Sequence, residues 1–369
     1  MTEPGRTPDA LIVLPVRGIG EITPGTALAE VIWAAAPWLR DGDVLIVTSK
    51  IVSKAEGRLV TVPPDEGPER DAARQAAVTA ETARTVATRG PTRIVQTRHG
   101  FVLAAAGIDA SNVDPTHLVL LPLDPDASAR ALRAALREVS GREVGVVITD
   151  TMGRPWRLGL TDVAIGAAGL PALRDHRGEV DAYGNDLFIT QLAVVDELAA
   201  AGELVKGKTD QVPVAVVRGF LPRVPTGAPD GDGARVLIRD AESDMFSLGT
   251  AEARADGLRT AATLPDREPD DQAPAGVAER LAAALAIVPE VAGVRWHPLD
   301  ERAAVLGVAD GPAAVALGTA VHRLRVALWA GGLASAWQLV RPADFDLPAG
   351  GVGALVTVSP GGASPGPAG

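Results

Sequence analysis

The run Val144, Gly145, Val146, Val147, Ile148, Thr149 and the residues directly after it, Asp150, Thr151, Met152, Gly153, Arg154, Pro155, Trp156 and Arg157, constrain this chain more than any other segment. An unbroken run rich in branched apolar residues predicts a buried strand, and chemistry-bearing groups tend to sit where such a strand gives way to a loop. The segment then offers a carboxylate, a hydroxyl, a glycine and two guanidinium groups in quick succession. A hard cation such as Mg²⁺ or Mn²⁺ takes oxygen ligands of the Asp and Thr type, and Arg bonds phosphate bidentately. The same residues also suit a plain turn in which Asp150 caps backbone amides and the arginines face water. This segment alone does not separate the two readings.

A chain of 369 residues exceeds what one compact core usually serves, so two domains are expected. With 46 acidic against 35 basic residues the formal net charge is −11, which argues against general affinity for nucleic acid or an anionic membrane. Any anionic ligand therefore needs a local basic site. No cysteine is present, which excludes disulfides, thiolate metal sites and a cysteine nucleophile. Leu11 to Val16 is short and has Glu3 upstream, so neither a signal peptide nor a membrane span is expected there. The long apolar stretch from Ala313 to Val340 is broken by His322, Arg323 and Arg325 and reads as a soluble helix. Cytoplasmic residence is the resulting expectation.

Strand-like runs at Leu11 to Val16, Val44 to Thr48, Leu118 to Leu121, Val144 to Thr149 and Val212 to Val217 alternate with helical spacing over Ala27 to Leu39, Glu69 to Thr88, Ala127 to Val139 and Gln191 to Val205. The class is mixed α and β. Asp126 and Gly207 read as a helix start and a helix stop. Pro222, Pro225, Gly227, Pro229, Gly231 and Gly233 mark a loop, and Pro265 to Pro274 reads as a linker. An Ala-rich region then runs to about Val358, followed by a Gly, Pro and Ser tail expected to be disordered. Polar signatures crowd the first 220 residues or so.

Several constellations there can carry chemistry. Gly18, Ile19, Gly20, Glu21, Ile22, Thr23, Pro24, Gly25 follows a strand, but Thr23 stands where a dinucleotide fingerprint needs its third glycine and Pro24 where the helix should open. A Rossmann loop is rejected, although the free backbone groups of Ile19 to Ile22 suit a base or sugar as well as a turn. Ser49, Lys50, Ile51, Val52, Ser53, Lys54 at a strand end suits a polyphosphate or, equally, an exposed charged hairpin. No Walker loop occurs. His99 to Asn112 delivers Asp109 and Asn112 at the end of an apolar, small-residue segment. Asp109 can complete a two-carboxylate cradle with Asp150 for one or two cations, or simply cap its own turn, while His99 reads as a packed or surface histidine. Asp175 and Arg177 suit a surface pair, and Asp196, Glu197, Lys206 and Lys208 suit charges that follow the helix dipole.

Taken in order, SKIVSKAEGR from Ser49, AAAGIDASNV from Ala104, LLPLDPDASA from Leu120, VVITDTMGRPWRLG from Val146, DHRG from Asp175 and ELVKGK from Glu203 resemble the coenzyme F420:L-glutamate ligases over residues 1–245, coenzyme F420 being a deazaflavin. The resemblance implies an α+β fold of its own with mixed sheets and an intertwined homodimer. It implies a cytoplasmic enzyme that uses GTP and divalent metal to join L-glutamate to the lactyl carboxylate of coenzyme F420-0, then adds a γ-linked glutamate. Carried over by position, Asp109, Asp150 and Thr151 match the metal ligands, with Mg²⁺ or Mn²⁺, two per site, and K⁺ as a further candidate. Ile19, Gly20, Glu21, Ile22, Ser49, Lys54 and Asn112 match the nucleotide positions, and Asp150, Arg154 and Lys54 are expected to act in catalysis. Thr26 and His176 depart from the family pattern, where an acid and a Tyr are usual.

In two-domain relatives a flavin-binding nitroreductase-like domain follows. Asp244 to Ala253 resembles its junction, and the GGLASAW segment from Gly331 echoes a later helix, yet the Arg-rich flavin-phosphate segment is absent and the length falls short. Residues 246–358 are therefore expected to form a degenerate, small α/β region that does not bind FMN, with 359–369 as a disordered tail. A flavin-dependent reductase of dehydro-F420-0 and a non-catalytic nucleotide- or coenzyme-binding protein are the competing readings. Both leave the Asp109 and Asp150 pairing without a purpose.

Overall fold

The computed structural model describes residues 10–188, 190–207, 210–220, 229–240, 243–244, 246–249, 252–253, 255, 277–288, 294–298, 303–308, 313–330, 333–341, 344 and 353–360. The chain divides into two compact units, Met1–Gly249 and Thr250–Gly369.

In the first unit the order is β1 (Ile12–Val16), α1 (Leu28–Ala35), β2 (Val44–Thr48), α2 (Ser49–Ala55), β3 (Leu59–Thr61), α3 (Pro68–Glu81), β4 (Thr82–Arg89), β5 (Thr92–Thr97), β6 (Val102–Ala104), β7 (His117–Val119), α4 (Pro125–Ser140), β8 (Gly145–Gly153), β9 (Leu160–Ala168), β10 (Leu173–Asp175), β11 (Gln191–Ala193), α5 (Val194–Lys206) and β12 (Val214–Arg218). A five-stranded mixed sheet forms its centre, in the order β1-β12-β2-β8-β9. Only β2 and β8 run parallel, with Thr48 opposite Thr149, so both strands end side by side.

Side-chain alternation along these strands assigns the two faces. Leu45, Val47, Val146, Ile148, Val214 and Val216 pack with Ile32 of α1 and Leu132 and Leu136 of α4. Val44, Ile46, Val147, Ala215 and Val217 pack with Val195, Leu198 and Ala199 of α5. A strand covered on both faces needs apolar residues at every position, which is why the runs read as continuous rather than alternating. Each fully buried Val, Leu or Ile contributes about 1.5 to 3 kcal/mol.

A smaller layer holds the sheet β4-β5-β6 and the pair β3-β7. With α3 these enclose a cluster that includes Val78, Val95, Ile108 and Leu118. The second unit contains α6 (Val277–Ile287), β13 (Val294–Pro298), β14 (Ala303–Val308), α7 (Ala313–Ala330), β15 (Leu333–Val340) and β16 (Gly353–Pro360). Its strands form an antiparallel sheet in the order β13-β14-β16-β15, and Leu281, Leu324, Leu328 and Val356 lie in its core. No described helix is long and apolar enough to cross a membrane.

The mixed α and β class stands, with corrections to individual elements. The helical pattern from Glu69 stops at Glu81, and Thr82–Arg89 is strand β4, paired with β5 across the turn at Gly90 and Pro91. Gln191–Ala193 is strand rather than helix, and the apolar stretch after Ala313 divides into α7 and β15. The α4 cap is Asp124, which accepts from the Ala127 N–H at 2.9 Å, with Pro125 at the first helical position where proline is favoured. Asp126 is buried instead and accepts N–H donors from Ala167 and Ala234 at 2.9 and 2.7 Å. Gly207 does end α5, at φ 63°. Ser359 and Pro360 belong to β16 rather than to a tail. The Pro265 to Pro274 linker, residues 361–369, Lys208 and the glycines that open the GGLASAW segment lie outside the described residues.

The helix α5 lies so close to β2 that a Cβ on Gly202 would meet Ile46 Cγ2 at 2.6 Å. Gly202→Val should overpack this contact by about 1 to 3 kcal/mol. A thermal unfolding curve checks it, and an unchanged midpoint would contradict the packing described.

Candidate active site

The strand β8 does not stop at Thr149 as its apolar run suggests but continues through Asp150 and Thr151 to Gly153. It pairs with β9 throughout, Asp150 facing Val163 and Thr151 facing Asp162, with a register shift between Ile148 and Thr149. A bulge at this point bends the strand and re-aims the side chains beyond it. Successive side chains then serve two environments, as strand pleating requires.

Thr149 and Thr151 share one of these environments. Both hydroxyls donate to Asp162, Thr149 Oγ1 to Oδ2 at 2.8 Å and Thr151 Oγ1 to Oδ1 at 2.7 Å. Lys206 Nζ closes the cluster, donating to Asp162 Oδ2 at 2.7 Å and Thr149 Oγ1 at 2.9 Å. The Lys206 and Asp162 side chains are each only 3 % exposed. Burial works against the charged Asp162, but Lys206 and the two hydroxyls outweigh it and hold the carboxyl below its usual range. Lys206 is thus an interior cation rather than an idle charge at a helix end. The sequence carried a signal for this: Val195, Leu198, Ala199, Gly202 and Lys206 form one stripe of α5 at helical spacing.

Asp150 belongs to the other environment, which Thr151 also borders. The Ser49 hydroxyl donates to Asp150 Oδ1 at 3.2 Å across the parallel strand ends. Asp109 reaches the same space from the chain that follows β6. Asp109, Asp150, Thr151, Ser49 and Lys50 line one cavity of about 270 Å³. The backbone beneath Asp109 is wound into left-handed conformations at Ala105, Ala106 and Gly107, a strained path of the kind that concentrates at functional sites. At Gly107 a Cβ would stand 2.9 Å from Leu121, so glycine is required on two counts.

The segment SKIVSKAEGR is neither loop nor exposed hairpin: its first seven residues form α2, largely buried. Each of its lysines is tied down. Lys50 Nζ lies 2.8 Å from Asp109 Oδ2 and donates to the Ser111 carbonyl at 2.7 Å. Lys54 Nζ donates to Glu21 Oε1 at 2.6 Å and to the Asn112 carbonyl at 2.9 Å. The second pairing draws together three of the expected nucleotide positions, Glu21, Lys54 and Asn112, with Asn112 in the left-handed region that Asn tolerates. Ile19 and Ile22 pack toward the core beside Glu21. Arg154 stands apart, exposed in the β8–β9 connection and outside the lining of the Asp109–Asp150 cavity. His99 Nε2 donates to the Leu123 carbonyl at 3.1 Å, and Asp175 pairs with Arg177 on the surface.

The two cavity carboxyls differ. For Asp109, burial is outweighed by the Lys50 ammonium and by the Ser111 N–H and O–H, which hold its carboxyl below the usual value. Asp150 has only Ser49 and a backbone N–H against burial and the charges of Asp162 and Asp109, and it is pushed up to about 7. This excess of negative charge, with oxygen donors from Asp109, Asp150 and Thr151, fits a hard divalent cation. Among the described residues no group of three or more His, Cys, Asp or Glu side chains converges as a complete metal cage. A donor set of two carboxylates and a hydroxyl suits Mg²⁺, which usually keeps water and substrate phosphate in its remaining positions.

Without divalent cation, Asp150 holds its proton more tightly folded than unfolded. Stability from that difference is complete below pH 4 and is lost as the pH climbs to about 7. Asp150→Asn removes the loss, so the melting temperature of the variant relative to the parent should rise from pH 5 to pH 8 in metal-free buffer. A difference that stays flat would contradict the environment assigned to Asp150.

Residues 18–219 match the sequence profile of a family described as F420-0:Gamma-glutamyl ligase. The coenzyme F420:L-glutamate ligase of Methanopyrus kandleri is 42% identical over 239 residues, 61% of this chain and 93% of the relative. That of Methanothermobacter thermautotrophicus is 41% identical over 220 residues, 56% of this chain and 86% of the relative. That of Haloarcula marismortui is 43% identical over 256 residues, 65% of this chain and 97% of the relative. These relatives are nearly spanned, while this chain carries length beyond the match.

Proposed function

The chain belongs to the F420-0:gamma-glutamyl ligase family, and on that premise we propose that it joins L-glutamate to the lactyl carboxylate of coenzyme F420-0 with GTP as co-substrate, then adds a second glutamate through its γ-carboxylate. The observation that carries this reading is the single cavity lined by Asp109, Asp150 and Thr151. Carboxylates resist amines because their charge repels the nucleophile and oxide is a poor leaving group. An oxygen of the acceptor carboxylate attacks the γ-phosphorus, the bond to the GDP oxygen breaks and GDP leaves, giving an acyl phosphate. The glutamate amine then attacks the acyl carbon, phosphate departs, and the nitrogen gives up a proton.

Asp109, Asp150 and Thr151 would hold Mg²⁺ or Mn²⁺, which would supply neutralisation of the phosphate charge. The remaining work belongs to the chain. Ser49 orients Asp150, and Lys50 and Ser111 hold Asp109 at the cavity. Lys54, fixed between Glu21 and Asn112, is the cation best placed beside the Ile19 to Ile22 backbone for the nucleotide. Arg154, outside the cavity lining, is given no step.

The tip of the β8–β9 hairpin leaves Trp156 and Leu158 91 % and 98 % exposed, apolar area that supports self-association as a homodimer. We read the second unit as a reduced relative of flavin-binding nitroreductase domains that does not retain FMN. Purified protein should therefore elute at twice its monomer mass on light-scattering chromatography and show no flavin absorbance; a monomer or a flavin spectrum would overturn the respective reading.

Asp150→Ala should abolish the mass increase of F420-0 after incubation with GTP, Mn²⁺ and glutamate, a loss of at least about a thousandfold for a group that organises phosphoryl transfer. Substantial GTP-dependent glutamylation by the variant, read by mass spectrometry, would refute the assignment.

A further inference from the structure

A second cavity, of about 290 Å³, opens in the first unit between β4, β6, the β8–β9 pair and the segment after Gly233. Met152 lines both it and the Asp109–Asp150 cavity, so one side chain forms a wall common to the two. Met152 is two residues beyond Asp150 on the same strand and therefore on the same face of β8. The two spaces differ in what they offer a ligand. The first brings Asp109 and Asp150 beside the short hydroxyls of Ser49 and Thr151, whereas the second presents the rings of Phe101 and Phe246 with the guanidinium groups of Arg84 and Arg239, and the carboxylates Asp196 and Asp244 also lie in its wall.

The apolar wall is built rather than accidental. Arg84 Nη2 donates to the Ser247 carbonyl at 2.6 Å and Arg84 Nε to Gln96 Oε1 at 2.7 Å, which joins the segment bearing Phe246 to the β4–β5 pair. Two residues later Gly249 lies against the Val86 carbonyl with no room for a side chain. Phe246 is held at this rim while remaining 69 % exposed. A large ring kept in water beside two arginines and a second aromatic side chain suits a flat, electron-rich ligand with an anionic tail. Aromatic faces take the ring and guanidinium groups take the tail. Small-ligand sites typically combine such apolar walls with a few convergent polar groups at volumes from about 300 Å³ upward, and this cavity lies close to that bound.

We infer that this second cavity receives the planar ring system of the carboxylate-bearing acceptor against Phe101 and Phe246, with Arg84 and Arg239 countering its anionic tail, so that the tail passes Met152 and delivers the terminal carboxylate to the Asp109–Asp150 cavity. The inference rests on the ligase reading and adds to it the place of the deazaflavin. A ligand with a ring at one end and its reacting group at the other needs two contiguous spaces, one with aromatic walls and one with the reacting groups. Met152, unbranched and polarisable, is a suitable divider because it can shift its rotamer as the tail threads past.

The test is isothermal titration of the full-length protein with coenzyme F420-0 and, separately, with GTP and Mn²⁺, for the parent, Phe246→Ala and Arg239→Gln. Both side chains are exposed, so each variant should keep its fold, and the GTP titration confirms that it does. The expected result is an acceptor Kd raised about tenfold in each variant, the equivalent of about 1.4 kcal/mol, with the GTP Kd unchanged. Acceptor binding at parental strength in both variants would overturn the assignment of this cavity while leaving the ligase reading intact. Parent protein that binds GTP but not F420-0 would overturn the ligase reading, and the assignment with it.

Discussion

The parallel pairing of β2 with β8 is the constraint on which the rest of the first unit depends. Because Thr48 lies opposite Thr149, the two strands finish together, and the residues immediately after them, Ser49 and Asp150, meet across the gap at 3.2 Å. A one-residue slip would turn every side chain on the shifted strand to the opposite face. The slip would bring Leu45 and Val47 out of the α1–α4 layer and put Val44 and Ile46 in their place, breaking both hydrophobic layers at once. Core packing therefore fixes the relative position of Ser49 and Asp150 indirectly, through side chains that never touch a ligand.

The second fixed point is the buried cluster of Lys206, Asp162, Thr149 and Thr151. Desolvating a carboxylate and an ammonium together costs several kcal/mol, and hydrogen bonds to every available oxygen are what make such a pair tolerable. Here Asp162 receives three donors and Lys206 contributes to two of the same partners. Breaking the pair from one side would leave an uncompensated interior charge at a cost of about 3 to 5 kcal/mol. The cluster ties the end of α5 to the far side of β8, so the strand that carries Asp150 is held from behind by ionic contacts and from the edge by β9. Rigidity of this kind is what a site needs if carboxylate oxygens are to keep their positions within a fraction of an ångström.

Much of this was legible in the residues. The runs at Val44 and Val144 show continuous apolar character because both sheet faces are covered, and the spacing of α4 and α5 shows in their apolar stripes. Asp109, Asp150 and Thr151 stood out as acids and a hydroxyl at the ends of apolar segments, where they suit a turn cap as well as a cation, and the resemblance to the ligases is what favoured the cation. What misled were places where tertiary context overrides local pattern. Thr82–Arg89 continues the helical spacing of α3, and its pairing with β5 decides for strand; the Gly90–Pro91 dipeptide was the available warning. The exposed hairpin that SKIVSK equally suited is instead a largely buried helix, whose Lys50 and Lys54 are held by carboxylates and carbonyls that no spacing rule connects to them. The second cavity had no local signature at all, since its walls come from separate segments spread between Arg84 and Ser247.

The imbalance between the two cavity carboxyls has a consequence for how the site loads. Asp109 has its own ammonium and two hydrogen-bond donors, so it stands ionised and pre-aimed before any ligand arrives. Asp150 has burial and two like charges against it and carries its proton well into the neutral range. On the proposed reading a divalent cation must therefore displace that proton, which makes metal affinity steeper in pH than the carboxyl count suggests. On the same reading phosphate oxygens would supply the donors that two carboxylates and a hydroxyl leave open, so that cation and nucleotide would reinforce each other's binding. On that reading burial, reinforced by the like charges of Asp162 and Asp109, favours the protonated Asp150 in the resting protein, and a cation held beside it would favour the ionised form.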